Sequence, residues 1–288
     1  MNLAAFEALV KVMETGSISL AAEQLFITQP AVTKRIHSLE DYFGVKLFES
    51  AGRGIQATHA AHSLLPKVKN WLNELGDIQH TLSHEQKQVQ GRLTIGTSHH
   101  IGLHHLPQHL KQYVQQFPDV TLDVHFVDSE QAHEQVLNGD LELAFLTLPP
   151  VGDERLKYIP MWEDSLVFVA APFHPLAQQA ELTLQDLSQY PSLLPSAQTY
   201  TSQITLAEFE KQGLKPKISM SNNPLESIRM LVSIGLGWSV LPKTLLNHDL
   251  KRLNIALEMN RQLGMVWHPG RTQSKAAQAL IQSMQTSK

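Results

Sequence analysis

The chain has no cysteine. Disulfides, thiolate zinc sites and cysteine nucleophiles are therefore excluded, and the absence fits a reducing compartment. Long apolar runs are missing too. The longest stretch, from Leu166 to Ala171, is far too short to cross a bilayer. The amino terminus carries Glu7, Lys11 and Glu14 within an amphipathic pattern, where a secretory leader would have a basic start and an unbroken apolar stretch. A cytoplasmic location without membrane contact is expected. A bulk positive field is also lacking. The net charge of −4 and a pI near 6.4 argue against a general polyanion-coating protein, and leave local nucleic-acid contacts open. Neither G-x-S-x-G nor H-E-x-x-H occurs. No enzymatic activity and no cofactor are expected.

The 288 residues, 42% hydrophobic and 17% charged, are enough for two or three domains, each with a core. Leu3, Phe6, Leu9 or Val10, and Met13 recur at helical spacing and predict a first amphipathic helix ending near Gly16. A second short helix follows, with Ser19 as its N-cap and Ala21 and Ala22 for close packing. In "TQPAVTKRIHSLEDYFG", Thr28 can cap a third helix and Pro30 sits in its first turn, where a missing N–H costs nothing. Val32, Ile36, Leu39 and Phe43 form its apolar stripe. Gln29, Pro30, Thr33, Lys34 and His37 then lie on or beside the opposite face, with Arg35 in the same run.

This is a helix-turn-helix pattern, whose second helix would enter the major groove of DNA. Gln and Lys supply hydrogen bonds to base edges there, and Thr and Pro can meet thymine methyls. The same spacing also fits a three-helix bundle with a solvated polar face. Next, "KLFESAGRGIQAT" reads as two short strands around a glycine-flanked turn, with Arg53 at the tip placed for a minor-groove or phosphate contact. Across residues 1–60 the acids Glu7, Glu14, Glu23, Glu40, Asp41 and Glu49 outnumber the bases Lys11, Lys34, Arg35, Lys46 and Arg53 by one. Binding must then rely on placed contacts and dimer avidity.

From Ala61 the apolar positions Leu65, Val68, Leu72, Leu75, Ile78 and Leu82 step by three and four along one helix. A second copy of itself, or the chain's own domain, could cover such a seam. Residues 83–90, "SHEQKQVQ", are polar and read as a hinge. Beyond Gly91, strand and helix patterns alternate to the end, which predicts an α/β domain with a mainly parallel sheet.

The stretch "GSISLAAEQLFITQPAVTKRIHSLEDYFGVKLFE" resembles the DNA-binding region of LysR-type transcriptional regulators, matching the family's Ala-Ala, Leu, Gln-Pro-Ala-Val, Ile, Leu-Glu, Gly, Leu-Phe order without a gap. Two positions depart: Ser50 stands where a basic residue is usual, and Ala61 where a glycine is. "GRLTIG", "NGDLELAF", "HPLA" and "VSIGLGWSVLP" extend the resemblance over essentially the whole chain. It implies an N-terminal all-α winged helix-turn-helix over 1–60, a dimerising linker helix and hinge over 61–90, and a C-terminal effector-binding domain over 91–288. That domain would be a two-lobed, periplasmic-binding-protein-like α/β fold. Lobe I would cover about 91–163 and 265–288, and lobe II about 164–264. The resemblance also implies a homo-oligomer, a dimer or dimer of dimers, on an inverted-repeat operator, with a small molecule bound between the lobes.

"GTSHHIGLHH", residues 96–105, places four histidines after the first strand of the larger half. In open α/β sheets, ligands sit beyond the carboxyl ends of strands, where helix N-termini offer free N–H groups. Thr97, Ser98, His99 and His100 would therefore line a cleft for a small organic anion. Thr147, Thr199, Tyr200, Asn222, Asn223 and Trp267 would form the other walls. Two other readings stand beside this one. His100 and His104 have helical i, i+4 spacing suited to a metal-responsive regulator built on His99–His105, although no carboxylate or cysteine flanks them. The larger half could also be a solute-binding or enzymatic α/β protein that its helical amino terminus merely dimerises.

Overall fold

A computed structural model describes residues 2–51, 54–82 and 89–286, in two compact units that divide between Glu85 and Gln86. In the first unit, helix α1 (Leu3–Thr15) starts at Asn2, whose side chain accepts from the Ala4 N–H, and stops at Gly16 with φ 63°. Helix α2 (Ile18–Gln24) is capped by Ser17, whose side chain accepts from Leu20 N–H, so Ser19 lies inside the helix rather than at its cap. Helix α3 (Gln29–Phe43) begins at Thr28 without a side-chain capping bond and ends at Gly44 with φ 67°. Strands β1 (Phe48–Ala51) and β2 (Gly54–Ala57) pair antiparallel, Phe48 opposite Ala57. Helix α4 (His59–Leu82) follows.

Leu9, Val12, Ala21, Val32, Ile36, Leu39 and Leu47 form the core of this unit. Ala61 and Val68 of α4 are buried in the same cluster, and Leu64 and Leu72 pack against it. Val68 and Leu72 of the seam on α4 therefore face their own domain. Side chains of Ile78 and Leu82 lie outside the described residues. Glu40 is buried and fixes the wing. Its Oε1 accepts from Leu47 N–H at 2.8 Å and Phe48 N–H at 3.3 Å, and its Oε2 pairs with Lys46 Nζ at 2.9 Å. Burial raises the Glu40 carboxyl, but Lys46 and the two amides bring it below its ordinary value.

The second unit opens with β3 (Gly91–Thr97), α5 (His99–His104), α6 (Pro107–Gln116), β4 (Val120–Phe126), α7 (Ser129–Asn138) and β5 (Leu143–Thr147). Strands β4, β3 and β5 are parallel. The long strand β6 (Lys157–Ala170) is antiparallel to β11 (Met259–Trp267), which is antiparallel to β5. Between them in sequence lie α8 (Leu184–Ser188), β7 (Pro191–Leu194), α9 (Tyr200–Lys211), β8 (Lys217–Ser221), α10 (Leu225–Ser233), β9 (Ser239–Pro242) and β10 (Lys251–Arg252); α11 (Lys275–Thr286) closes the chain. β9 and β10 both pair antiparallel with β6.

The seven-stranded sheet is thus mixed, not mainly parallel. The reason is that β6 and β11 carry the chain out of one lobe and back, in opposite directions. One lobe packs around Leu93, Ile95, Phe145, Leu263 and Met265. The other packs around Phe168, Phe209, Trp238 and Met259. The change of core on β11 falls between Met259 and Leu263, earlier than residue 265. Helix α9 starts at Tyr200 because Thr199 caps it, accepting from Ser202 N–H, so "SAQTYTS" is only partly loop. No helix among the described residues is long and apolar enough to cross a membrane.

Candidate functional site

Two surfaces carry polar groups in functional arrangements, one on each unit. On the first unit, Gln29, Pro30, Thr33, Lys34 and His37 line an open concavity on the outer face of α3. The apolar stripe of that helix, Val32, Ile36 and Leu39, is buried, so helical periodicity leaves these residues outward. Thr28 is exposed at the start of α3. Arg35 is half-buried and points back to α1, its Nη1 donating to the Ala4 carbonyl at 3.4 Å. That bond takes it off the outer face. Arg53 lies outside the described residues. Phe26 carried no sequence signal, yet it is 95% exposed and has φ 55°, a left-handed conformation that costs a bulky residue free energy.

On the second unit, a half-open cleft lies where the two lobes meet. Ser98, His99, His100, Thr147, Thr199 and Asn223 line it. Ser98 is also the N-cap of α5, its Oγ accepting from Ile101 N–H, which leaves the hydroxyl hydrogen free to donate outward. Thr97 is fully buried and does not line the cleft; its Oγ1 donates to the Ser98 carbonyl at 3.3 Å. Tyr200 contributes its backbone N–H rather than a cleft-lining side chain. Asn222 is absent from the lining, and Trp267, opposite Lys157 at the end of β11, packs on the first lobe's core instead.

Asp128, Ser129, Glu130, Thr201 and Arg261 also line it, together with the apolar Pro195, Pro224 and Leu225. Arg261 and Asp164 are cross-strand partners on β11 and β6. Both are buried, 4% and 3% exposed. Arg261 Nε and Nη2 lie 2.8 and 2.7 Å from Asp164 Oδ2, and Nη1 donates to Thr201 Oγ1 at 2.7 Å. Burial alone would raise the Asp164 carboxyl, but His100 and Arg261 hold it below its ordinary value. Two acids reach across the cleft. Glu130 Oε1 accepts from Tyr200 N–H at 2.6 Å, at the start of α9, and Asp128 Oδ2 accepts from Asn223 Nδ2 at 2.5 Å. Burial raises the Glu130 carboxyl above its usual range.

The histidines separate by environment. His99 is exposed and its ring lies 5.2 Å from that of Phe126. His100 is buried, with its Nε2 3.4 Å from Asp164 Oδ2, and burial lowers its pKa so that the neutral ring is favoured. His104 Nε2 lies 3.4 Å from Glu226 Oε1 of α10. His105 packs near His100 and Trp162, with ring centroids 5.4 and 5.1 Å away. Carboxylates do therefore reach this cluster, from β6 and α10 rather than from neighbours in sequence. His100, His104 and Glu226, or His100, His105 and Asp164, each bring three ligand atoms within 4.8 Å of one another.

Residues 86–287 match the family model described as the LysR substrate binding domain. Residues 3–62 match the model of the bacterial regulatory helix-turn-helix protein, lysR family. A protein of Synechocystis sp. described as a probable RuBisCO transcriptional regulator is 30% identical over 280 residues, 93% of this chain and 81% of that protein. An uncharacterized HTH-type transcriptional regulator from the ibpB-leuC intergenic region of Azotobacter vinelandii is 49% identical over 107 residues, 37% of this chain and 74% of that protein. Among solved structures, full-length CbnR complexed with its target DNA aligns over 100% of both chains with a TM-score of 0.71 at 18% identity. The effector binding domain of QuiR in complex with shikimate aligns over 69% of this chain and 97% of that one, with a TM-score of 0.62 at 22% identity. At those identities the structures speak to the fold. With both family models matched in order along nearly its whole length, the chain belongs to the LysR family of DNA-binding transcriptional regulators, which pair a helix-turn-helix with an effector-binding domain.

Proposed function

We propose that this regulator is a homo-oligomer that reads an inverted-repeat operator through α3 and responds to a small organic anion, a carboxylate, bound between the lobes of its second unit. The observation that carries the effector class is Arg261, a buried guanidinium lining the cleft beside the hydroxyls of Ser98 and Thr201. Hydroxyl donors and a guanidinium in a low-dielectric site suit a carboxylate. Asp128 and Glu130 qualify the class. With Asp164 they outnumber Arg261, which favours a carboxylate that also carries hydrogen-donating hydroxyl or ammonium groups. The QuiR domain, bound to shikimate, provides a carboxylate of that hydroxylated kind in a related fold. An effector acts by binding one arrangement of the oligomer more tightly than another.

Ser98→Ala is expected to weaken effector binding by about 1–3 kcal/mol through the lost hydrogen bond. A thermal-shift screen of wild type against small carboxylates identifies the probe, and calorimetry with that probe measures the variant. No stabilising carboxylate in the screen, or equal affinity in Ser98→Ala, would reject this reading. On the DNA side, Gln29→Ala and Lys34→Ala should each cost about 1–3 kcal/mol of specific operator binding in gel-shift titrations, with oligomer size unchanged. If both variants bind like wild type, another face of the unit contacts the groove.

A further inference from the structure

We propose that His100, His104 and Glu226 form a binding site for a divalent transition-metal ion of the zinc class, joining α5 to α10. The imidazoles stand one turn apart on α5, ring centroids 5.0 Å from each other. The carboxylate comes from the first turn of α10. All three ligand atoms lie within 4.8 Å. His104 Nε2 and Glu226 Oε1 are 3.4 Å apart. A zinc ion about 2.0–2.1 Å from each ligand in tetrahedral geometry sets its ligand atoms about 3.4 Å apart, so this pair already has the required spacing.

A second, independent observation points to a ligand. His100 is 3% exposed, and its Nδ1 has no hydrogen-bond partner; Glu226 Oε1 is buried and is met only by His104 Nε2, at 3.4 Å. Buried polar atoms without partners cost free energy in the folded state. A metal ion would meet an imidazole nitrogen and the carboxylate oxygen at once. Charge agrees. Asp164 and Glu226 face Arg261, so two carboxylates stand against one guanidinium, and a cation entering beside Glu226 is not repelled by net positive charge. The alternative triad of His100, His105 and Asp164 is weaker, because the Asp164 carboxylate is already held by Arg261 at 2.7 and 2.8 Å. Three protein ligands leave a coordination position open, as in sites where water or a second ligand completes the shell.

The test uses the full, untagged chain stripped with a chelator and then dialysed. Zn2+ is titrated by competition calorimetry, and Co2+ by its visible d–d absorption, which reports coordination directly. One ion per chain is expected. His104→Gln and Glu226→Gln should each weaken binding at least tenfold and abolish the intense Co2+ bands, while Glu226→His, which returns a ligand to the same place, should restore them. His104 and Glu226 are partly exposed, so these variants should fold, and an unchanged melting temperature in chelator verifies it. His125→Ala, at an exposed histidine paired with Asp123, should leave binding as in wild type. Absence of a stoichiometric ion in wild type overturns the proposal. So does equal Zn2+ affinity in wild type and both glutamine variants, which would assign the ion to other histidines of this histidine-rich chain.

Discussion

Arg261→Ala is expected to destabilise the second unit by about 3–5 kcal/mol, the range found when one partner of a buried ion pair is removed. The size comes from what is left behind. Asp164, 3% exposed, would keep its charge with only His100 and water to replace two guanidinium contacts at 2.7–2.8 Å. Thr201 Oγ1 would also lose its donor. The pair itself need not be net stabilising, because desolvating two charges offsets most of their attraction. Replacing both with apolar residues, as in Arg261→Leu with Asp164→Leu, should therefore recover much of the loss. Urea unfolding followed by tryptophan fluorescence measures all three proteins. A loss below about 1 kcal/mol for Arg261→Ala would mean the pair is solvent-screened as surface pairs are. Effector response should vanish in the double variant even where stability returns, since the apolar pair removes the guanidinium from the cleft.

The same pair shows what could be read in the sequence and what could not. On β11, burial alternates: Met259, Arg261 and Leu263 face inward, and Asn260 and Gln262 outward. On β6, Asp164 and Leu166 face inward around an exposed Ser165. A period-of-two reading thus places one arginine and one aspartate at core positions of two strands, which is a signal. That they meet is not, because the partners are 97 positions apart and register between strands is set by tertiary packing. Local chemistry was far more legible. Gly16 and Gly44 at helix ends, Pro30 in a first turn and the Val32–Ile36–Leu39 stripe fix the helices of the first unit. Ser19 misled because Ser17 offers the same capping chemistry two residues earlier. Within the cleft, Ser98 and Thr147, at strand ends next to helices, follow from topology alone. Trp267 does not line the cleft because β11 runs past it into the first lobe, where the indole is covered by apolar neighbours. The histidine run was ambiguous for a related reason. Spacing along α5 gives the i, i+4 pair, whereas Asp164 and Glu226, which decide between packing and ligation, arrive from β6 and α10.

Val68→Asp should have the largest effect on the first unit. Val68 is 4% exposed and belongs to the core built from Leu9, Val12, Val32, Ile36 and Leu39. Losing a buried valine costs about 1.5–3 kcal/mol of apolar burial. A carboxylate in its place is either desolvated without a partner or forces α4 away from the core, costing about 2 kcal/mol or more in addition. Small domains are stable by about 5–15 kcal/mol, so this substitution consumes a large share of the total. Phe6 and Trp71, whose rings meet edge-on at 5.1 Å, and the Lys69–Glu14 pair at 3.5 Å also join α4 to α1, and both depend on the helix staying in place. The expected outcome is rapid proteolysis of residues 2–82 and loss of operator binding, with carboxylate-induced stabilisation of the second unit preserved. Leu75, half-buried and outside that core cluster, should behave differently: Leu75→Lys is expected to reduce oligomer size in sedimentation while the helix-turn-helix resists protease. These two positions separate the faces of α4. If Val68→Asp stays protease-resistant and instead sediments as a monomer, the apolar seam is covered by a second chain along its whole length, and the inward packing of Val68 described above is wrong.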